Sequence, residues 1–258
     1  MSELLEYSGD EMMTVAASRA LADGTVCFVG IGLPSAAANL ARLTHAPNVV
    51  LIYESGTIET KPDILPLSIG DGELSETALT TVSVPEMFRY WLQGGRVQVG
   101  FLGAAQLDKY ANINTTVIGD YDAPKVRLPG GGGAPEIATH SGEVFITLRH
   151  SKRGFVEKLD FITSAGGQPG GDNKKRCGGK GPTKIITDLC IMEPDSQTKE
   201  FIVTSMHRGV ERQQIIDNTG WGVRFAEEVT TTPEPSAHEL EVLRDLHRRT
   251  KEAHAGEA

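Results

Sequence analysis

Residues 25–54 constrain the fold more tightly than any other stretch. Thr25 to Val29 is a short apolar, β-rich run that breaks at Gly30-Ile31-Gly32. The helix that follows has Pro34 in its first turn and Asn39, Leu40 and Leu43 along it; proline's fixed φ and missing N–H suit that position. In the next run, Asn48 to Tyr53, five of six residues are apolar or aromatic, as in a strand buried on both faces. Strand, glycine turn, helix, strand is one βαβ unit, which predicts a mostly parallel sheet covered by helices. The second strand ends on Glu54, and Ser55-Gly56 then turns the chain. A carboxylate in that place projects into the crevice at the carboxyl edge of an open α/β sheet, where such folds keep their chemistry. The alternative is a strand end that points to water.

The rest of the chain repeats the alternation. Glu11 to Ala22 places Met12, Val15, Ala16 and Ala20 at helical spacing and stops at Asp23-Gly24. Residues 57–83, with Pro62, Pro66 and Gly70-Asp71-Gly72, read as a long excursion over the strand ends rather than as regular structure. Glu86 to Gln93 predicts a short amphipathic helix ended by Gly94-Gly95, and Val97 to Leu102 a buried strand ended by Gly103. Turn chemistry fills 103–116, and behind Pro129 stand four consecutive glycines, Gly130 to Gly133. Such a loop either brings bare amide donors to a ligand oxygen or is merely a flexible turn. Further strands are predicted at Val144 to Leu148, Phe155 to Thr163, Lys184 to Thr187 and, as the last, Phe201 to Ser205; a helix at Val210 to Thr219 stops at Gly220.

Residues 165–182 hold seven glycines together with Lys174, Lys175, Arg176 and Lys180, and predict a mobile loop, either solvated or meeting phosphates. Ser236 and Glu239 form a capping box that opens a terminal helix over about 236–254, with Leu240, Leu243 and Leu246 on one face. That helix either covers its own domain or docks a partner. No internal repeat is present, and 1–258 reads as a single α/β domain.

Composition excludes several functions. A formal net charge of -9 without a block of like charge argues against a nucleic-acid-binding surface or a polybasic membrane patch. Cys27, Cys177 and Cys190 are neither close nor paired, so no disulfide framework or CxxC metal site is expected. The histidines never fall at ligand spacing, so no metal is expected; His150, closing a strand, is the one to watch. The N-terminus lacks the order of a signal peptide and no apolar run approaches the roughly 18 residues of a membrane span, which predicts a soluble cytoplasmic protein.

Two chemistries suit the 25–56 region. Gly30-x-Gly32-x-x-Ser35 after a strand, with Glu54 at the end of the next, is the arrangement of a dinucleotide site, weakened by Ser35 in the third place and by Pro34 at the helix start. The other is nucleophilic attack by the Glu54 carboxylate on an acyl centre, with glycine-loop amides taking up oxyanion charge. Gln106, Asn112 and Asn114 are either polar site residues or ordinary turn formers.

Four motifs decide between these. GIGLP (Gly30 to Pro34), ESG (Glu54 to Gly56), GAAQLDKYANIN (Gly103 to Asn114) and GGGGAPEIA (Gly130 to Ala138) resemble, in order and spacing, the β subunits of family I CoA-transferases, and the likeness covers nearly the whole chain. IGDYDAPKVRLPG (Ile118 to Gly130) is similar to the glutaconate CoA-transferase branch; PLSIGDGELSET and IITDLCIMEP are similar to segments of a group of 3-oxoadipate transferases from aromatic-compound degradation. The resemblance implies an open, mostly parallel sheet with helices on both faces. It implies Glu54 as the nucleophile, Gly133 as an oxyanion-hole amide with Gly132 beside it, and Gly32 and Gln106 on the substrate side. CoA enters as a substrate moiety, with no permanently bound cofactor. The implied partner is an α subunit, commonly in an α2β2 heterotetramer, and the implied substrates are an acyl-CoA such as succinyl-CoA and a dicarboxylic 3-oxo acid. The acid's distal carboxylate needs a cation from Lys125, Arg127 or the partner. One departure stands out: Phe28 occupies a position where many 3-oxoacid transferases carry Asn. Other readings within the fold are a glutaconate-type transferase and a CoA-ester hydrolase or decarboxylase; outside enzymes, a catalytically silent metabolite-sensing module.

Overall fold

The computed structural model describes residues 6–167 and 179–255. Helix α1 (Gly9–Arg19) opens with a capping box between Ser8 and Glu11 and buries Met12, Met13, Val15 and Ala17. After β1 (Val26–Phe28), α2 (Leu33–Leu43) buries Ala36, Ala37, Ala38 and Ala41, small residues that let α1 lie close against it. Next come β2 (Val50–Ile52), β3 (Thr57–Ile58), α3 (Gly72–Glu76), β4 (Thr80–Thr81) and α4 (Val84–Glu86), which runs into a π-helical turn over Met87–Leu92. Beyond it lie β5 (Val99–Gly103), the β6 (Gln106–Leu107) and β7 (Ile113–Asn114) hairpin, and the β8 (Val117–Gly119) and β9 (Pro124–Arg127) hairpin. The chain continues through α5 (Ala134–His140), β10 (Glu143–Thr147), β11 (Pro182–Ile186), β12 (Cys190–Pro194), β13 (Phe201–Met206), α6 (Arg212–Asp217), β14 (Phe225–Thr231) and α7 (Ala237–His254).

One ten-stranded sheet runs β14-β13-β12-β11-β10-β5-β1-β2-β3-β4. Its centre, β11-β10-β5-β1-β2, is parallel throughout, and antiparallel strands flank it. Alternation along the strands sorts the core into two layers. Cys27, Leu51, Tyr53, Val99 and Phe101 pack under α1 and α2, while Phe28, Ile52, Leu102 and Val144 pack beneath the π-turn and α5. Helices therefore cover both faces, as expected. The chain moves from β1 to β2 on one side and returns to β5 on the other, so the strand order reverses between β1 and β5. The carboxyl edge there is where an open sheet forms a ligand crevice.

Several expectations need correction. Residues 57–83 are more regular than expected: Thr57 and Ile58 turn back antiparallel on β2, and β4 pairs with β3. Segment 155–163 is not a strand; its ladder pairing with the β6–β7 hairpin is limited to the isolated bridge Leu107↔Phe155 and, just beyond the segment, Ile113↔Ser164. Phe155 is buried because its ring stacks on His150, which imitates one apolar position of a strand. Phe201–Met206 is followed by a further strand, β14, whose exposed Glu227 and Glu228 hide the apolar alternation. Most of the glycine-rich stretch 165–182, namely 168–178, lies outside the described residues. Helix α7 carries the expected Ser236–Glu239 box and packs Leu243 against Val15, Ala36 and Leu40, so it covers its own domain. Among the described residues no helix is long and apolar enough to cross a membrane.

Candidate active site

Glu54 stands on a hairpin turn at the carboxyl end of β2. The Tyr53 carbonyl accepts the Gly56 N–H at 2.9 Å, and the Tyr53 N–H donates to the Thr57 carbonyl at 3.2 Å. Glu54 and Ser55 are thus the corner residues, with Gly56 after them at a φ of 101°, the three-residue hairpin in which a glycine takes the left-handed place. A Cβ on Gly56 would stand 2.0 Å from the Val82 carbonyl oxygen, so no other residue fits. Tyr53 fixes the strand end. Its hydroxyl lies 2.8 Å from Ser35 Oγ, itself buried in α2, and burial pushes the phenol up to about 12. Because side chains alternate, Tyr53 points under α2 and Glu54 falls on the opposite face with Phe28 and Ile52.

That face carries the glycine loop. A Cβ on Gly132, whose φ is 49°, would stand 3.4 Å from Glu54 Oε1 and 3.6 Å from Oε2. One on Gly133 would stand 3.1 Å from Oε1 and 2.5 Å from Phe88 Cζ. The carboxylate therefore lies against two residues that have no side chain: a Cβ at Gly133 would crowd it, and one at Gly132 would lie in ordinary contact with it. Among the described residues the amides of Gly131, Gly132 and Gly133 donate to no protein acceptor, whereas that of Gly130 does. Nor does any hydrogen bond or ion pair within those residues engage the Glu54 carboxylate. A free carboxylate beside free backbone donors can attack a carbonyl carbon and stabilise the oxyanion that forms.

Aromatic residues wall the site. Phe88, on the π-turn, packs against Gly133 and lies 5.8 Å from the ring of buried Phe28. The π-turn is marked by Gln93 N–H donating to the Phe88 carbonyl, five residues back, at 2.8 Å. Such turns recur at functional sites because they shift the register of one side chain. Sequence periodicity carried no sign of it, and Phe88 was not among the expected site residues.

The amides of 103–116 are turn formers. Asp108 accepts from the backbone of Tyr110 and Asn112 at 3.0 Å each and from Asn112 Nδ2 at 2.8 Å, closing the β6–β7 turn with Ala111 at a φ of 59°. Gln106 is 7% exposed; its Oε1 accepts from Asn114 Nδ2 at 2.7 Å and its Nε2 donates to Asp160 at 3.3 Å. Its amide is thus held from within the fold. Gly32 caps α2 with a φ of 80° and borders a cavity of about 620 Å³ that β1, β5 and β10 open onto, lined by Ile31, Pro34, Ala104, Thr147 and Leu243. Glu54 does not line it. Arg127 is held in its own hairpin, donating to the Tyr121 carbonyl at 2.7 Å with its guanidinium 4.8 Å from that ring.

His150 is structural. Its ring stacks on Phe155 at 3.9 Å, Nε2 lies 3.0 Å from Thr219 Oγ1, and burial pushes it down to about 4, so it is neutral. Burial likewise pushes the neighbouring Cys190 thiol up to about 12, so the two form no ion pair. No cluster of three or more His, Cys, Asp or Glu side chains among the described residues is placed to hold a metal.

Residues 10–218, which span both Glu54 and the glycine loop, match the family model described as coenzyme A transferase. The chain belongs to the coenzyme A transferase family. It is 67% identical, over 96% of each chain, to the β subunit of the 3-oxoadipate CoA-transferase of Pseudomonas knackmussii. With the β subunit of the glutaconate CoA-transferase of Acidaminococcus fermentans it shares 32% identity over 93% of each chain. The crystal structure of that organism's glutaconate coenzyme A-transferase superposes with a TM-score of 0.86 at 29% identity, covering 94% of this chain and 95% of the other. As a family member matched along nearly the full length of β subunits, the chain is a CoA-transferase subunit of the β type.

Proposed function

We propose that this chain is the glutamate-bearing subunit of a CoA-transferase that moves CoA from succinyl-CoA to a dicarboxylic 3-oxo acid, 3-oxoadipate, in aromatic-compound degradation. The observation that carries the mechanism is the Glu54 carboxylate lying against Gly132 and Gly133; the substrate follows the 67% identical relative. A Glu54 oxygen attacks the thioester carbonyl, the C–S bond breaks, and an acyl-glutamyl anhydride forms with CoA thiolate. The thiolate then attacks the glutamyl carbonyl, forming the glutamyl-CoA thioester and releasing the donor acid as its carboxylate. The acceptor carboxylate reverses both steps, which restores Glu54 with no net gain or loss of protons. Each tetrahedral intermediate places an oxyanion where the Gly132 and Gly133 amides donate. Gly32 and Gln106 are assigned to the substrate side by the family resemblance, with Gln106 held there by Asn114.

An α subunit completes the site, as α2β2, in the cytoplasm, and CoA is carried as substrate with no resident cofactor. Anhydride and thioester are both open to water, so a covered crevice shared by two chains suits the chemistry. The test is mass spectrometry of the complex incubated with succinyl-CoA alone. A CoA-sized adduct on the Glu54 peptide, absent in Glu54→Ala, is expected; turnover falls by several orders of magnitude in that variant while assembly persists. Steady thioester consumption without an adduct would instead mark a hydrolase.

A further inference from the structure

The glycine loop needs a rigid root if its amides are to meet a developing oxyanion, and that root is Gly130. Its N–H donates to the Thr115 carbonyl at 2.8 Å, and its carbonyl accepts from Thr115 Oγ1 at 2.8 Å, a reciprocal pair that clamps one residue from both sides. Gly130 has a φ of 99°, so the chain turns sharply there before Gly131 to Gly133, whose amides are left free.

Thr115 is itself held on every side. Its N–H donates to Thr163 Oγ1 at 2.9 Å, and Thr163 Oγ1 lies 2.7 Å from Thr116 Oγ1. Just before it, fully buried Asn114 accepts from the N–H of Thr116 at 2.9 Å and of Val117 at 3.3 Å, and donates to the Val117 carbonyl at 2.7 Å and to Gln106 Oε1 at 2.7 Å. Thr163 also meets the loop directly, since a Cβ on Gly131 would stand 3.1 Å from its Cγ2.

The geometry points to Thr115 as a positioning residue for the transfer reaction: it touches no reacting atom, and acts by fixing Gly130 so that Gly132 and Gly133 face Glu54. This rests on the reading of Glu54 as nucleophile given above. Removing the hydroxyl leaves Gly130 tethered to Thr115 by one bond instead of two, so the amides spend less time in line with the oxyanion. Binding of CoA, which depends on other contacts, changes little.

The experiment compares Thr115→Val, which keeps the shape and loses the hydroxyl, with Thr115→Ser, which restores it, in the complex with the α subunit. Thr44→Val, removing a hydroxyl bond to the Leu40 carbonyl of 2.6 Å at the far end of α2, controls for general loss of stability. For Thr115→Val the expected result is a kcat lower by about tenfold, the size of one hydrogen bond lost from the transition state, with KM for succinyl-CoA within about twofold. Thr115→Ser and Thr44→Val retain the wild-type kcat. Adduct formation on Glu54 in a single turnover slows in parallel with kcat. A Thr115→Val enzyme that forms the adduct at the wild-type rate overturns the positioning role while leaving the nucleophile intact. Wild-type protein that forms no adduct overturns both. If the valine variant does not fold, amide exchange in the wild-type complex decides: a slowly exchanging Gly130 N–H is expected, and one exchanging at the rate of an open chain overturns the clamp.

Discussion

Side chains are excluded from the site as deliberately as they are supplied. At Gly133 a single methyl group would meet Phe88 Cζ at 2.5 Å and Glu54 Oε1 at 3.1 Å, so Gly133→Ala must move an aromatic ring or the Glu54 carboxylate. At Gly32 a methyl meets nothing within 4 Å, and the only penalty is the positive φ of 80°. The two substitutions therefore separate. Gly133→Ala is expected to lower kcat by about 10²–10³, the size of a lost oxyanion donor, whereas Gly32→Ala costs about 1–3 kcal/mol of stability from a backbone conformation, φ 80° with ψ −129°, that side chains rarely adopt, and leaves most activity. Steady-state kinetics with thermal melts on both variants checks this; equal losses of activity would mean that the glycine loop has no special relation to Glu54.

The elements around Glu54 are unequally legible in sequence. Asn48 to Tyr53 reads as a buried strand because both its faces are covered, and the turn after it is written in Gly56, which the Val82 carbonyl and a φ of 101° make obligatory. Gly56→Ala is accordingly expected to detach the β3–β4 hairpin from β2, lowering the melting temperature and the transfer rate together; unchanged proteolysis of residues 57–83 would contradict it. Glu54 and the glycine loop were legible as motifs expected to act together, but the route that joins them was not, since it depends on the β6–β7 and β8–β9 hairpins, with Gly130 bonded back to Thr115. The π-turn was invisible because six residues are too few for the shift to five-residue hydrogen bonds to show in the apolar spacing. For Gln106 the sequence does not tell which protein partner its amide has; the 2.7 Å bond to Asn114 does. Segment 155–163 misled for a similar reason, Phe155 being buried by stacking on His150 rather than by strand pairing.

At the scale of the whole molecule, acid stability rests on imidazoles buried where the antiparallel extension meets the parallel core. His150 lies among Phe155, Thr187, Thr219 and the Cys190 thiol, and burial lowers it from 6.5 to about 4. His207, bonded to the Thr187 carbonyl at 2.8 Å and to Thr232 Oγ1 at 3.0 Å, is lowered too, chiefly by burial. In the unfolded chain each histidine takes up a proton as pH falls through about 6.5, while the folded state resists. The folded state is therefore favoured fully above pH 6.5 and loses that advantage as pH falls toward the folded value near 4. For His150 the drop from 6.5 to about 4 corresponds to about 3 kcal/mol across that window. Below it, carboxylates held low by their partners, Glu239 by Arg19 and Ser236 and Glu11 by Arg244, add losses of the same sign. A melting temperature that falls between pH 7.5 and 5, with a shallower fall in His150→Gln, is expected, and the His150 ring proton should titrate near 4 by NMR. A ring titrating near 6.5 would mean that the junction between the two halves of the sheet opens to water and that His150 is not sealed by its stack on Phe155, which itself stacks on Trp221.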